Sequence, residues 1–313
     1  MAANSIDRIA VVGAGAIGGW VAARLALAGN EVAALSRSGP LASITVTESG
    51  SEEQARLDRS EGVRHLVILA VKAPALAQAA EAARPMIGAE TLILPMLNGV
   101  PWWFVPGGPL RSVDPDGRID SALPLDRVIG CVVQAACRRT GPAAVEVVHA
   151  EKLILGEPAT GSRERVAALA PLFEGAGISV EQSDNVRRAI WYKLWGNATI
   201  NPLSALTRAT ADKLLGDPAI RGFMTDGMAE LAAVGSAIGC PIAESADDRM
   251  AVTARLGAFK TSMLQDVEAG RPIELEALLG APREIAARHD IPTPQLDRLY
   301  AETRLLGESL GLL

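Results

Sequence analysis

The 313-residue chain is poor in sulfur nucleophiles, imidazoles and aromatic rings. Its three cysteines, Cys131, Cys137 and Cys240, make no CxxC pair, and its three histidines, His65, His149 and His289, are scattered. That pattern excludes a disulfide framework and leaves no readable metal site. Positive charge is also short: 30 Lys and Arg stand against 36 Asp and Glu, a net charge of −6. General electrostatic attraction to nucleic acid or to an anionic membrane is therefore not expected. No apolar run reaches membrane-spanning length, and residues 1–7 read as a short polar start rather than a signal peptide. A reducing cytoplasm is the expected setting.

What the chain does have is apolar residues, 49% of the total, and enough length for two domains. Residues 8–12 read as a strand that runs into a glycine-rich turn, a helix of small residues to about 28, and a second strand at 32–36. Residues 66–71 and 91–95 predict further strands, with a helix over 74–83 between them. From 101 to 126, Pro, Gly and Asp crowd behind Trp102, Trp103 and Phe104, which predicts a long surface loop. Residues 128–133, 145–149 and 153–155 predict late strands, the last two as a hairpin, followed by a helix at 164–175 and a strand at 178–181. Beyond Ser183, helices are expected over 184–201, 218–238, 245–268, 272–288 and 293–310, several opening at Pro or just after Ser or Asp. The expected architecture is an α/β domain, residues 1–183, on a doubly wound parallel sheet, then an all-helical domain, residues 184–313.

The first turn carries Gly13-Ala14-Gly15-Ala16-Ile17-Gly18, a GxGxxG run between a strand and a helix. Gly13 permits the tight turn, Gly15 lets backbone approach a pyrophosphate, and Gly18 lets the helix pack on the sheet. A lone GxGxxG is a weak signal; in this context it predicts dinucleotide binding. A site for NAD usually has a carboxylate at the end of the second strand. Here that end reads Leu35-Ser36-Arg37-Ser38, and Glu31 stands at the wrong end. Arg37 is either a solvated turn residue or a bidentate partner for a 2′-phosphate, and the missing carboxylate points to NADP(H). Ligands of such sheets bind beyond the carboxyl ends of strands, where Lys72 and Asn98 follow 66–71 and 91–95. Lys72 reads equally as a surface lysine, and Asn98-Gly99 as plain turn chemistry.

Lys193, Asn197 and Asn201 sit four residues apart and so share one helix face. One cation and two carboxamides suit a small anionic or carbonyl-bearing ligand. Such residues are more often simply solvated. Their neighbours Trp191, Leu194, Trp195, Ala198 and Ile200 leave little wet surface, however, and Asn is a poor interior helix residue.

With these residues in view, the chain resembles the ketopantoate reductase (2-dehydropantoate 2-reductase) family. The resemblance rests on the Gly13 run with Arg37, Val71-Lys72, Asn98-Gly99, Lys193-Leu194 with Asn197 and Asn201-Pro202, and Thr261-Ser262-Met263-Leu264-Gln265-Asp266 followed by Glu274. It implies an N-terminal Rossmann domain, a C-terminal helical domain, an active site in the cleft, and NADPH-dependent reduction of a 2-keto acid. The position matching Lys193 is the general acid. The one matching Glu274 binds the substrate hydroxyl and helps organise the site. Those matching Asn197, Asn201 and Ser262 bind substrate, Asn98 matches a residue that positions substrate and cofactor, and Lys72 one near the cofactor. Read without the resemblance, Ser262 bonds its own helix backbone and Glu274 is a carboxylate favoured by a helix dipole.

The chain departs from the family pattern at Leu97, where many members have Gln, and in the loop opened by Val100-Pro101-Trp102-Trp103. The strand Gly130-Cys131-Val132-Val133-Gln134-Ala135-Ala136 also lacks the family's threonines and histidine. The two tryptophans either wall an apolar pocket or pack the loop down. These differences leave the tail of the keto acid open. The alternatives are a related reductase acting on another oxo acid or an imine, and an NADP(H)-sensing protein without catalysis. The apolar C-terminal helix either caps the core or pairs with a partner in a homodimer.

Overall fold

The computed structural model describes residues 6–59, 61–159 and 163–313, so most of the polar start lies outside the described residues. The chain divides into two compact units, one of residues 1–97 and 118–189, the other of 98–117 and 190–313. The single boundary expected near Ser183 misses this excursion: 98–117 leaves the first unit and joins the second.

The first unit opens β1 (Arg8–Val12), α1 (Ala16–Leu27), β2 (Glu31–Ser36), and continues through β3 (Gly39–Pro40), β4 (Ser43–Glu48), β5 (Ser51–Arg56), β6 (Arg64–Leu69), α2 (Leu76–Ala83) and β7 (Ile87–Pro95). After the excursion come α3 (Arg118–Ala122), β8 (Gly130–Gly141), β9 (Ala144–Gly156), α4 (Glu164–Gly175) and β10 (Val180–Gln182). One sheet has the order β3-β2-β1-β6-β7, parallel except for the short β3. The chain runs outward from β1 to β2, then returns to β6 on the other side of β1. That reversal is the switch point at which α/β sheets bind ligands. The central strands are apolar on both faces, as in a covered parallel sheet.

The remaining strands form a second, mixed sheet, β10-β9-β4-β5, with β8 on β9. This corrects the expected late hairpin: β9 is one continuous strand, and its antiparallel partner is β8. The β4–β5 hairpin was missed altogether. Its turn, Ser49-Gly50, has φ of 50° and 82°, the two left-handed residues of a two-residue hairpin. Helix α1 packs on both sheets, with Trp20, Val21 and Leu25 buried among Ile9, Val11, Ile44, Val46, Leu153 and Phe173.

The second unit is helical apart from residues 98–117. It contains most of α5 (Val186–Thr207), then α6 (Ala211–Gly216), α7 (Pro218–Ala237), α8 (Ala246–Ala254), α9 (Ser262–Glu268), a π-helical turn Glu276–Gly280, α10 (Ala281–Arg288) and α11 (Pro294–Leu310). Several differ from expectation. Helix α5 runs six residues past Asn201, through Pro202, because burial of Leu203 and Ala205 outweighs the lost hydrogen bond. The span 245–268 is broken: Gly257 at φ 69° cannot continue a helix, and Thr261 caps a new one by accepting from the Leu264 amide. The span 272–288 becomes a π turn followed by α10.

Residues 101–117 form a loop, exposed at 106–108 and Asp116 but anchored by buried side chains. Trp102, Trp103, Phe104, Val105 and Leu110 are all buried, and the Phe104 ring stacks on Trp191 at 5.7 Å. Both tryptophans pack this end of the loop down. Helix α11 buries Leu296, Leu299, Thr303 and Gly307, so it caps the core of its unit, while Leu305 and Leu310 stay exposed. Among the described residues, no helix is long and apolar enough to cross a membrane.

Candidate active site

In the first unit, Gly13 stands just beyond β1 at φ 99°, and its amide donates to Leu35 O at 2.9 Å. A Cβ there would meet Val71 Cγ1 at 2.5 Å and Ala70 O at 2.6 Å, so the chain just beyond β6 leaves room only for glycine. A Cβ on Gly18 would run into the Gly13 carbonyl and lie 2.9 Å from Ala70 Cβ. Gly15 differs: nothing but Gly13 O, at 4.0 Å, lies near its Cβ position. Two glycines thus serve close packing, and the third leaves open space at the N-terminus of α1. The first-turn amides of a helix have no intrahelical acceptors and carry partial positive charge. With Ala14, Ala16 and Ile17 making up the turn, this cradle fits a dinucleotide pyrophosphate.

Arg37 is exposed in the tight turn between β2 and β3, where Ser36 Oγ donates to Gly39 O at 2.9 Å. Glu31, at the other end of β2, accepts from the buried Arg64 at 3.0 Å and is structural. Lys72 is half-buried just beyond β6 and starts a short helical turn.

In the second unit, α5 is fixed by its tryptophans. Trp191 Nε1 donates to Leu231 O at 3.1 Å, and Trp195 Nε1 to Met228 O at 2.8 Å, both on α7. Gly235 lets α7 approach this closely, since a Cβ there would overlap the Trp191 ring. Trp191, Leu194, Trp195, Ala198 and Ile200 are all buried, which leaves Lys193, Asn197 and Asn201 on one shared face. Lys193 and Asn197 are half-buried, and Asn201 is buried.

Lys193 Nζ donates to Asn98 Oδ1 at 3.1 Å, and Asn98 Nδ2 donates to Glu274 Oε2 at 3.4 Å. Glu274 is only 6% exposed. A carboxylate buried to this degree needs a partner beyond a helix dipole, and Asn98 Nδ2 is one. Residues 95 and 176 positions apart in sequence therefore share one polar line: ammonium, carboxamide, carboxylate. Asn98 is placed by its neighbours. Gly99, at φ 78°, lies so close to Ala277 that a Cβ would fall 2.5 Å from its carbonyl carbon. The next amide, Val100 N, donates to Ala277 O at 2.8 Å. The other end of the segment is clasped by Glu284, which accepts from Ser112 N and Ser112 Oγ at 2.8 Å and from Arg111 N at 3.1 Å. Burial pushes the Glu284 carboxyl up, but the Ser112 and Arg111 groups and Arg288 outweigh it and hold it below the usual range.

Ser262 is exposed at the start of α9, directly after the Thr261 cap. It is outside the polar line just described. The residues sequence reasoning missed are those that hold the line in place: Ala277, Ser112 and Glu284. They contribute a carbonyl, an amide, a hydroxyl and a carboxylate across gaps that no local pattern spans. Among the described residues, no group of three or more His, Cys, Asp or Glu could hold a metal ion.

Two family models match the chain, Ketopantoate reductase PanE/ApbA over residues 9–160 and Ketopantoate reductase PanE/ApbA C terminal over 185–306. A 2-dehydropantoate 2-reductase of Mesorhizobium japonicum is 37% identical, covering 97% of this chain and 99% of that one. A crystal structure from Ralstonia solanacearum, provisionally assigned as a ketopantoate reductase, superposes with a TM-score of 0.94 at 44% identity, over 99% and 100% of the two chains. A 2-dehydropantoate 2-reductase structure from Geobacter metallireducens gives a TM-score of 0.83 at 27% identity, over 95% and 99%.

Proposed function

The chain belongs to the ketopantoate reductase family, and from that premise we propose that it reduces a 2-keto acid to the 2-hydroxy acid with NADPH. The substrate of first choice is 2-dehydropantoate (ketopantoate), giving pantoate for pantothenate biosynthesis. The observation that carries this reading is the Lys193–Asn98–Glu274 line.

The nicotinamide, when bound, supplies a hydride to the keto carbon. Charge then develops on the keto oxygen, which needs a positioned donor near ~3 Å. Lys193 is that donor and gives its proton from Nζ. Asn98 accepts from Lys193 and so holds the ammonium in one direction. Glu274 accepts from the Asn98 nitrogen, which fixes the sense of the carboxamide, and takes the substrate hydroxyl. Asn197 and Asn201, on the same face of α5, and Ser262 orient the rest of the keto acid.

For the cofactor, the Gly13–Gly18 turn and the first amides of α1 hold the pyrophosphate, with Lys72 beside it. Arg37 pairs with the 2′-phosphate. The lack of a carboxylate at the end of β2 supports NADP(H) over NAD(H), because Glu31 is engaged by Arg64 at the opposite end.

The test is NADPH oxidation across a panel of 2-keto acids that includes ketopantoate. Turnover with at least one, and best with ketopantoate, is expected. No turnover with any of them would remove the reading.

A further inference from the structure

The Asn98-Gly99-Val100 segment leans on a π-helical turn, and that turn has its own anchor. The turn Glu276–Gly280 begins two residues after Glu274, and the Leu278 amide donates back to Glu274 O at 3.1 Å. Ala277, inside the turn, takes the Val100 amide and abuts Gly99. π turns are rare and occur mostly as single turns, frequently at functional sites, so this one points to a local support. The support here is Tyr300 on α11, whose hydroxyl donates to Glu276 Oε1 at 2.7 Å. The other Glu276 oxygen fills the space that a Cβ on Gly280 would take, so the carboxylate is seated within its own turn. Arg283 lies over the Tyr300 ring at 4.2 Å and is held by Asp297 at 2.5 Å, which fixes the ring in turn. Burial, then the bond to Glu276, pushes the Tyr300 hydroxyl up to about 12, so it stays a donor at every physiological pH.

We propose that Tyr300 and Glu276 are positioning residues: their hydrogen bond fixes the π turn that sets Asn98 and Glu274 against each other. Neither touches the polar line directly. Tyr300 acts through Glu276, Glu276 through Ala277, and Ala277 through the Val100 amide on the backbone next to Asn98. The proposal rests on Asn98 and Glu274 being site residues, as argued above.

The test is Tyr300→Phe, which keeps the ring beneath Arg283 and removes only the hydroxyl. Its kcat and KM are measured beside the exchange rate of the Val100 amide hydrogen. The expected result is a kcat lower by about tenfold, the worth of one ordinary hydrogen bond, with a smaller change in KM and faster exchange at Val100. Glu276→Gln keeps an acceptor for Tyr300 and should retain most activity. Glu276→Ala should match Tyr300→Phe, and the double variant should be no worse than either, since the two act as a unit. A Tyr300→Phe protein with parental kcat, or with unchanged Val100 exchange, would overturn the proposal. Faster Val100 exchange in a chain whose parent turns over no keto acid would instead overturn the proposed function and leave the positioning device standing.

Discussion

Asn98 carries two opposite duties in one side chain. Its oxygen receives Lys193 and its nitrogen gives to Glu274, which no carboxylate or hydroxyl could do with the same geometry. The proposed preference for NADPH also rests on the residue scale. Arg37 is exposed and sits in a tight turn after β2, and the carboxylate of that strand, Glu31, is engaged by Arg64 at the other end. Its planar guanidinium suits a phosphate in a way a lysine's point charge does not. Arg37→Ala should weaken NADPH binding by roughly 10–100-fold, the worth of charge-assisted hydrogen bonds, while NADH binding barely moves. Titration of both cofactors against the variant checks this. An unchanged ratio of affinities would return Arg37 to the role of a solvated turn residue.

At the scale of elements, the polar face of α5 is held in place because its other faces are locked. Trp191 and Trp195 each place an indole N–H on a carbonyl of α7, and Gly235 makes room for the first of them. Gly235→Ala would push a Cβ into the Trp191 ring and to 2.7 Å from the Cys240 carbonyl. It should destabilise the protein by about 1–3 kcal/mol, as overpacking of a filled core does, and lower Tm. A variant as stable as the parent would show that α7 shifts freely, and the account of α5 would lose its anchor. The sequence made α5 legible as a polar stripe on an apolar helix, since i, i+4 spacing is local information. Its true end was not legible, because the gain from burying Leu203 and Ala205 beyond Pro202 is tertiary. The π turn was illegible for the same reason: Glu276 is held by Tyr300, 24 residues away. Ser49-Gly50 was a readable hairpin signal between alternating residues, and it was missed because the strand before it, Ser43–Glu48, is half polar.

At the scale of the molecule, the proposed function assigns its two chemical tasks to different units. The glycine cradle and Arg37 belong to the first unit, whereas Lys193, Asn98 and Glu274 all belong to the second. Asn98 follows a strand of the first unit in sequence, yet the excursion 98–117 carries it into the second, clasped there by Ala277 and Glu284. The dinucleotide fold was legible from a strand, a turn and a helix that are neighbours in sequence. The excursion was not, because its burial depends on Trp191 and on α10, both far along the chain. This division makes the central claim separable. Removing the proton donor should abolish chemistry in the second unit and leave cofactor binding in the first untouched. The decisive measurement is therefore kcat for ketopantoate with Lys193→Ala, taken beside NADPH affinity of the same protein. The account predicts a fall in kcat of roughly 10²–10⁴-fold, as for loss of a general acid, with NADPH affinity unchanged. A variant that keeps a near-parental kcat would contradict it.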